Sequence, residues 1–228
     1  MFEEAYRNYL LGFNEVIFLL KQAENASIEV NQKMRLANQQ VFLRSAIVLM
    51  AARLEAFLKA LPEVYSDAVS GDWTQQGKGQ KRFLSLQISR NLINLLEDDR
   101  FSDFSDERAV EHLKVGIQTI AQLYSDAEGY ANLANTTKLS NFYKLKGNSA
   151  IEKLLLDFRE DGVPFFGWLH RNGYDGRRYK TVVEGLLNER NSIAHGDGNC
   201  SLTLNEIRSY LAVITHMNRL ILVYLEES

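Results

Sequence analysis

The residues with the most chemistry in this chain stand in one run, Glu189-Arg190-Asn191-Ser192-Ile193-Ala194-His195-Gly196. A guanidinium beside an imidazole suits phosphodiester chemistry: the cation stabilises charge on phosphate oxygens while the imidazole moves protons. Ahead of the run, Val183, Leu186 and Leu187 recur at helical spacing. This predicts a helix from about Arg177, with Gly196 just past its end, where a left-handed backbone is wanted. Asn191 and His195 are four apart, so they share a helix face and the amide can orient the imidazole. His195 falls at the helix C-terminus, where the macrodipole favours a protonated ring, and imidazole is the side chain that exchanges protons near neutrality. Arg190, seven past Val183 and four past Leu186, lies on the inward stripe, where a charge needs a partner or a cleft.

The spacing by itself is unspecific. Fifteen arginines and four histidines in 228 residues give about 0.26 such pairs by chance. On spacing alone, a helix end capped by its own polar side chains explains the run better than catalysis does. Other candidates carry less. His112, His170 and His216 are isolated, and no Cys/His cluster has metal-ligand spacing, so neither metal nor cofactor is expected. Gly77-Lys78-Gly79-Gln80-Lys81 lacks the four-residue gap and the Gly-Lys-Ser/Thr ending of a phosphate loop. Cys200 lies five residues after His195, but nothing suggests an activated thiolate, and it reads as inert.

The elements that must position the run are helical. Only Pro62 and Pro164 interrupt the chain, and no strand alternation, repeat or low-complexity tract occurs. Residues 5–24 predict one helix with Leu10, Phe13, Ile17 and Leu20 on a stripe. A second window, about 30–61, carries Phe42, Ala46, Leu49, Phe57 and Leu61 and should stop before Pro62. A loop with Gly71, Gly77 and Gly79 follows, then helical windows at about 82–97 and 107–125. Residues 126–148 lose periodicity and read as an excursion of the bundle. Ser149-Ala150-Ile151-Glu152 has the capping-box pattern and predicts a helix to about Glu160. Thr203-Leu204-Asn205-Glu206 repeats it and opens a last helix striped by Ile207, Leu211, Ile214, Met217 and Ile221. The fold class expected is an all-α bundle, and no boundary divides residues 1–228 into more than one domain.

Composition sets the outer limits. The 228 residues are 46% hydrophobic and 24% charged, enough for a sizeable core without staples. One cysteine excludes an intramolecular disulfide framework and fits a reducing compartment. No signal peptide is visible, and the longest apolar run, Ala46 to Ala52, is far short of a membrane span, so a cytoplasmic protein without membrane attachment is expected. The net charge of −3 does not advertise nucleic-acid binding, yet residues 138–180 hold nine basic and five acidic side chains. Such asymmetry is one footprint of phosphate binding, although solvated helix faces account for it as well. Lys144, Lys146, Arg177 and Arg178 are the candidates for holding an RNA backbone, and Lys81-Arg82 and Lys138 are weaker ones resting on charge alone. Between Pro164 and Tyr179, five aromatic residues alternate with Arg171, Arg177 and Arg178. Aromatics beside arginines can stack bases, but a mini-core beneath a loop is the better reading.

With these residues in view, the chain resembles the HEPN superfamily of helical-bundle domains, whose signature is Arg, four to six residues, then His. Arg190-Asn191, three residues and His195 match it, with Asn191 in the polar position after the arginine. A second likeness lies in residues 42–59, above all Ala52-Arg53-Leu54-Glu55-Ala56-Phe57-Leu58-Lys59. This stretch looks like the long Glu-bearing helix of the RiboL-PSP-type branch. The resemblance covers 42–59 and 181–226 well and 62–148 vaguely. It implies a metal-independent endoribonuclease in which Arg190 holds the scissile phosphate, His195 is general acid or base, and Asn191 orients the histidine or the substrate. The RNA 2′-hydroxyl is then the nucleophile, and a cyclic phosphate is left. Glu55 would stand behind the site, or else be an ordinary surface glutamate. A homodimer with a composite site is implied, as is a role as a toxin or an antiphage or stress effector, with a regulatory or antitoxin protein as a further partner. One departure matters: the tyrosine that nucleotidyltransferase antitoxins modify, two residues after the histidine, is Asp197 here. Two other readings remain beside the nuclease: a non-catalytic HEPN-like module binding a nucleotide, RNA or protein, and a purely structural domain.

Overall fold

The computed structural model describes residues 2–28, 32–69, 147–159, 161–196 and 199–227, with backbone only at 63 and 66–69. The glycine loop, the helical windows at 82–97 and 107–125, most of the 126–148 excursion, His112, Lys144 and Lys146 lie outside them. The described residues form six helices and no strand: α1 Glu3–Ala26, α2 Gln32–Val69, α3 Asn148–Leu156, α4 Phe165–Arg171, α5 Gly176–Ala194 and α6 Leu204–Glu226. The all-α bundle read from the periodicity is the fold observed.

Helix α1 buries Tyr9, Phe13, Val16, Leu20 and Ala23, which follow one another at three- and four-residue steps. The expected stripe is rotated: Phe13 and Leu20 are buried, but Leu10 and Ile17 are exposed, because Tyr9 and Val16 take the inward places. Helix α2 runs antiparallel to α1. The contacts Phe2–Tyr65, Tyr9–Phe57 and Glu15–Arg53 progress in opposite directions along the two helices.

Helix α2 does not stop at Pro62; it continues to Val69 with the proline inside it. A proline there deprives the Leu58 carbonyl of its partner and costs roughly 3 kcal/mol. Burial of Phe57, Leu58 and Leu61 around the break offsets this, at about 1.5–3 kcal/mol for each large apolar side chain. Beyond the proline, Tyr65 packs edge-on against Phe158, with ring centroids 5.1 Å apart.

Helix α3 corrects a second expectation. It begins at Asn148, is not capped by Ser149, and ends at Leu156 rather than near Glu160. The N-cap is Gly147 at φ 103°, and no side chain caps the helix. Asn148 is buried and spends its amide on α5, donating to the Lys180 carbonyl (2.9 Å) and to Glu184 Oε1 (2.8 Å). Those tertiary bonds pull the helix start one residue forward and leave Ser149 on the exposed first turn.

The Thr203 cap is as read. Its Oγ1 accepts the Glu206 N–H, and Glu206 reaches back to the Thr203 N–H at 2.7 Å. From there α6 crosses the centre of the fold, burying Ile207, Ile214, Met217 and Ile221, with Leu211 half-buried. It packs against α1, α2, α4 and α5.

The aromatic stretch is a mini-core: Phe165, Phe166, Trp168 and Tyr179 are buried, and Phe165 and Trp168 meet the Tyr224 ring edge-on. Arg159 closes this end. Its buried guanidinium donates to the Tyr224 carbonyl (2.6 Å) and forms a two-pronged pair with Asp161 (2.8 and 2.5 Å).

Candidate active site at the end of helix α5

Helix α5 carries the chemistry, and its two ends are built differently. At the start, Asp175 Oδ1 accepts the N–H groups of Arg177 (3.1 Å) and Arg178 (3.3 Å), satisfying amides that a helix leaves unpaired. Tyr179, Val182, Val183 and Leu186 then face the core. Gly185 lets α6 approach closely: a β-carbon there would collide with the Tyr210 hydroxyl. The last helical residue is Ala194, His195 is the C-cap, and Gly196 turns away at φ 86°.

Arg190 leaves the end of α5 toward α2. Its Nη2 lies 3.3 Å from Glu55 Oε2, and Glu55 Oε1 is held on its other side by Lys59 Nζ at 3.0 Å. The Arg190 and Glu55 side chains are 34% and 31% exposed, so the pair sits at the rim of the helix packing, reachable from solvent. The inward placement of Arg190 read from the stripe is therefore met by a partner, and that partner is Glu55.

Asn191 turns its amide to Arg190 rather than to the imidazole. Its Oδ1 accepts from Arg190 Nη1 at 3.3 Å, and its backbone carbonyl accepts the His195 N–H at 2.9 Å. The amide side chain thus steadies the guanidinium, and only its main chain touches His195. The imidazole of His195 is exposed and makes no hydrogen bond or ion pair with the described residues. The result is a cation held by two acceptors, with the backbone of His195 about 7.5 Å further along the helix axis.

Arg177 and Arg178 do not join this group. They are exposed at the opposite end of α5, about 20 Å away by helix rise. Of the other histidines, His216 bonds the Tyr179 hydroxyl through Nδ1 at 2.8 Å, and His170 is exposed on α4. Burial pushes the Cys200 thiol up to about 11, in keeping with an inert cysteine. Among the described residues no group of three His, Cys, Asp or Glu side chains gathers as a metal site. No described helix is long and apolar enough to cross a membrane.

Sequence reasoning missed two contacts. Glu189 binds Ser201 through both carboxylate oxygens, and Gln40 Oε1 accepts the Cys200 N–H at 2.8 Å. Nothing in a linear pattern announces either. The Glu55–Lys59 pair, at i and i+4, was legible as a helix-surface neighbour.

These geometries can be set beside known proteins. The family model described as RiboL-PSP-HEPN matches residues 8–225, nearly the whole chain. No curated protein and no solved structure matches it. The long Glu-bearing helix, the Arg-Asn-x3-His helix end and the matched span agree, and the chain belongs to the RiboL-PSP-HEPN family.

Proposed function

We propose that this chain is a metal-independent endoribonuclease with Arg190 and His195 as its catalytic residues. The observation that carries the reading is the end of α5, where a guanidinium held by Glu55 and Asn191 shares one helix end with a histidine whose ring is exposed and has no hydrogen bond among the described residues. Arg190 keeps N–H donors for a phosphate oxygen, and the fork geometry of arginine suits that contact. The 2′-hydroxyl of the RNA attacks the adjacent phosphorus. The 2′-O–P bond forms, the P–5′-O bond breaks, one imidazole takes the 2′ proton, and a proton is returned to the departing 5′-oxygen. The products are a 2′,3′-cyclic phosphate and a 5′-hydroxyl. A homodimer brings two α5 ends together, so that one histidine serves as base and the other as acid. The biological setting proposed is that of a toxin or an antiphage or stress effector in the cytoplasm, restrained by a regulatory or antitoxin protein.

The test is cleavage of labelled total RNA and tRNA by the purified protein in EDTA. Wild type cuts, whereas Arg190→Lys and His195→Ala lose at least about 100-fold in rate. Cleavage that survives Arg190→Ala and His195→Ala overturns the assignment.

A second reading has a specific observation in its favour. Arg190 is already engaged by Glu55 and Asn191, and Arg177 and Arg178 stand at the far end of α5. With a net charge of −3, this suits a non-catalytic module that binds a nucleotide, RNA or protein. Binding that persists without turnover in the same assay favours this alternative.

A further inference from the structure

We propose that the groove at the start of α5 is a second RNA subsite, which holds a phosphate of the strand about 20 Å from the cut. The proposal rests on the reading of Arg190 and His195 as the cleavage site and extends that site along the helix.

Two helices supply the walls of the groove: Phe166, Gly167 and His170 come from α4, and Gly176, Arg177 and Lys180 from α5. Its volume of about 590 Å³ falls within the usual range of ligand pockets, about 300–1,000 Å³. Gly176 brings the first turn of α5 down on α4, since a β-carbon there would stand 3.0 Å from the Phe166 carbonyl oxygen. Gly167 keeps the wall open, since a β-carbon there would meet only Pro164 Cδ, at 3.9 Å. Lys180 Nζ lies over the Phe166 ring, 4.6 Å from its centroid. That contact fixes the ammonium beside the groove and leaves its N–H donors for a ligand. Arg177 is exposed next to it, and His170 lines the groove from the α4 side.

A guanidinium, an ammonium and an imidazole on one apolar-walled groove recognise a phosphate, the arginine through its fork and the lysine as a point charge. Two carboxylates border the groove as well, Asp175 and, from α3, Glu152. Asp175 Oδ1 is spent on the amides of Arg177 and Arg178. Glu152 is left to accept a ribose hydroxyl, a group that RNA carries beside each phosphate. A phosphate joined to its ribose therefore suits the groove better than a bare polyanion.

The course of α5 connects this groove to the cleavage site. Arg177 and His195 are 18 residues apart, five full turns, so they lie in phase on one face of the helix. Thr181, Glu184, Asn188 and Asn191 fill the places between them, and all six positions are exposed. Glu184, the one acid on this stripe, accepts from the Asn148 amide at 2.8 Å. Arg190 joins the stripe through its Nη1 contact with Asn191 Oδ1. A strand laid on this face meets cations at both ends and polar, mostly uncharged side chains between. With phosphates about 3.4 Å apart along a stacked strand, the roughly 20 Å from Arg177 to Arg190 take about six nucleotides.

The experiment measures binding of fluorescein-labelled oligouridylates of three and twelve nucleotides by fluorescence anisotropy, in His195→Ala protein so that the RNA stays whole. Only the longer strand spans both ends of α5, and it is expected to bind at least about tenfold more tightly than the shorter one. Adding Arg177→Gln with Lys180→Gln should weaken the twelve-nucleotide strand alone and cut this advantage to about threefold or less. Arg177→Gln by itself, at an exposed position, removes part of it and decides the matter if the double variant does not fold. Arg178→Gln, next door but outside the groove, keeps the whole advantage. A length advantage that survives the double variant overturns the proposal. Equal weakening of both strands, the mark of a pocket for a free nucleotide, overturns it too. If wild type cuts no RNA while the length advantage depends on Arg177 and Lys180, the nuclease reading fails and the groove stands as an RNA site.

Discussion

Arg190 of α5 and Glu55 of α2 meet across the helix interface with Nη2 and Oε2 3.3 Å apart, although 135 residues separate them in the chain. Each is about one-third exposed, and Lys59 completes the row on α2. A partly exposed pair of this kind contributes little to stability, about 0–1 kcal/mol, so under the proposed function its worth lies in orienting the guanidinium. Glu55→Gln should change the unfolding free energy by less than about 1 kcal/mol and lower RNA cleavage about tenfold. Urea unfolding and initial cleavage rates measure the two effects. A faster variant would mean that Glu55 competes with the phosphate for Arg190.

The Arg159–Asp161 pair should appear in the acid limb of stability. The Arg159 guanidinium holds the Asp161 carboxyl down to about 2. A carboxyl depressed in the folded state adds stability above its unfolded value, near 3.9, and loses that contribution as pH falls toward the folded value. Asp161 is 45% exposed, so solvent screening limits the effect. Asp161→Asn is expected to cost about 1–2 kcal/mol at pH 7. The gap should close between about pH 4 and pH 2, as followed by urea unfolding across that range. A gap that stays constant down to pH 2 would exclude ionisation of Asp161 as its cause.

The two capping-box patterns predict opposite outcomes. Thr203→Ala removes an acceptor at the start of α6 and should destabilise by about 1 kcal/mol. Ser149→Ala, at a position that caps nothing, should stay within about 0.5 kcal/mol of wild type. Thermal unfolding of both variants under one condition checks the pair, and equal losses would contradict the observed start of α3.

Asn218 lies fully buried in α6 with both polar atoms of its amide unsatisfied among the described residues. The Tyr9 hydroxyl is close to it and to Thr215 but misses hydrogen-bond geometry, and burial raises the Tyr9 pKa. An unpaired buried amide costs about 1–3 kcal/mol, so Asn218→Leu should raise the midpoint of thermal unfolding. A lowered midpoint would show that the amide has a partner after all, an internal water being the simplest.

Local chemistry decided much of this protein before tertiary contacts entered. Helical periodicity and scarce prolines set the all-α class, Thr203 and Glu206 satisfied each other's backbone, and Gly196 took the left-handed turn, because each depends only on residues a few places apart. The motif residues were legible for the same reason: Arg190, Asn191 and His195 lie within one and a half turns of a single helix. What tertiary structure decided is where side chains found partners distant in the chain. Asn148 was drawn to α5 and moved the start of α3. Packing of Tyr65 on Phe158 accompanied α2 through Pro62. Asn191 turned to Arg190, Glu55 became that arginine's counter-charge, and Glu189 closed on Ser201. A hydrogen bond or ion pair is worth about 1 kcal/mol wherever its partner sits in the chain, but a linear pattern shows only the partners within reach of one helix turn.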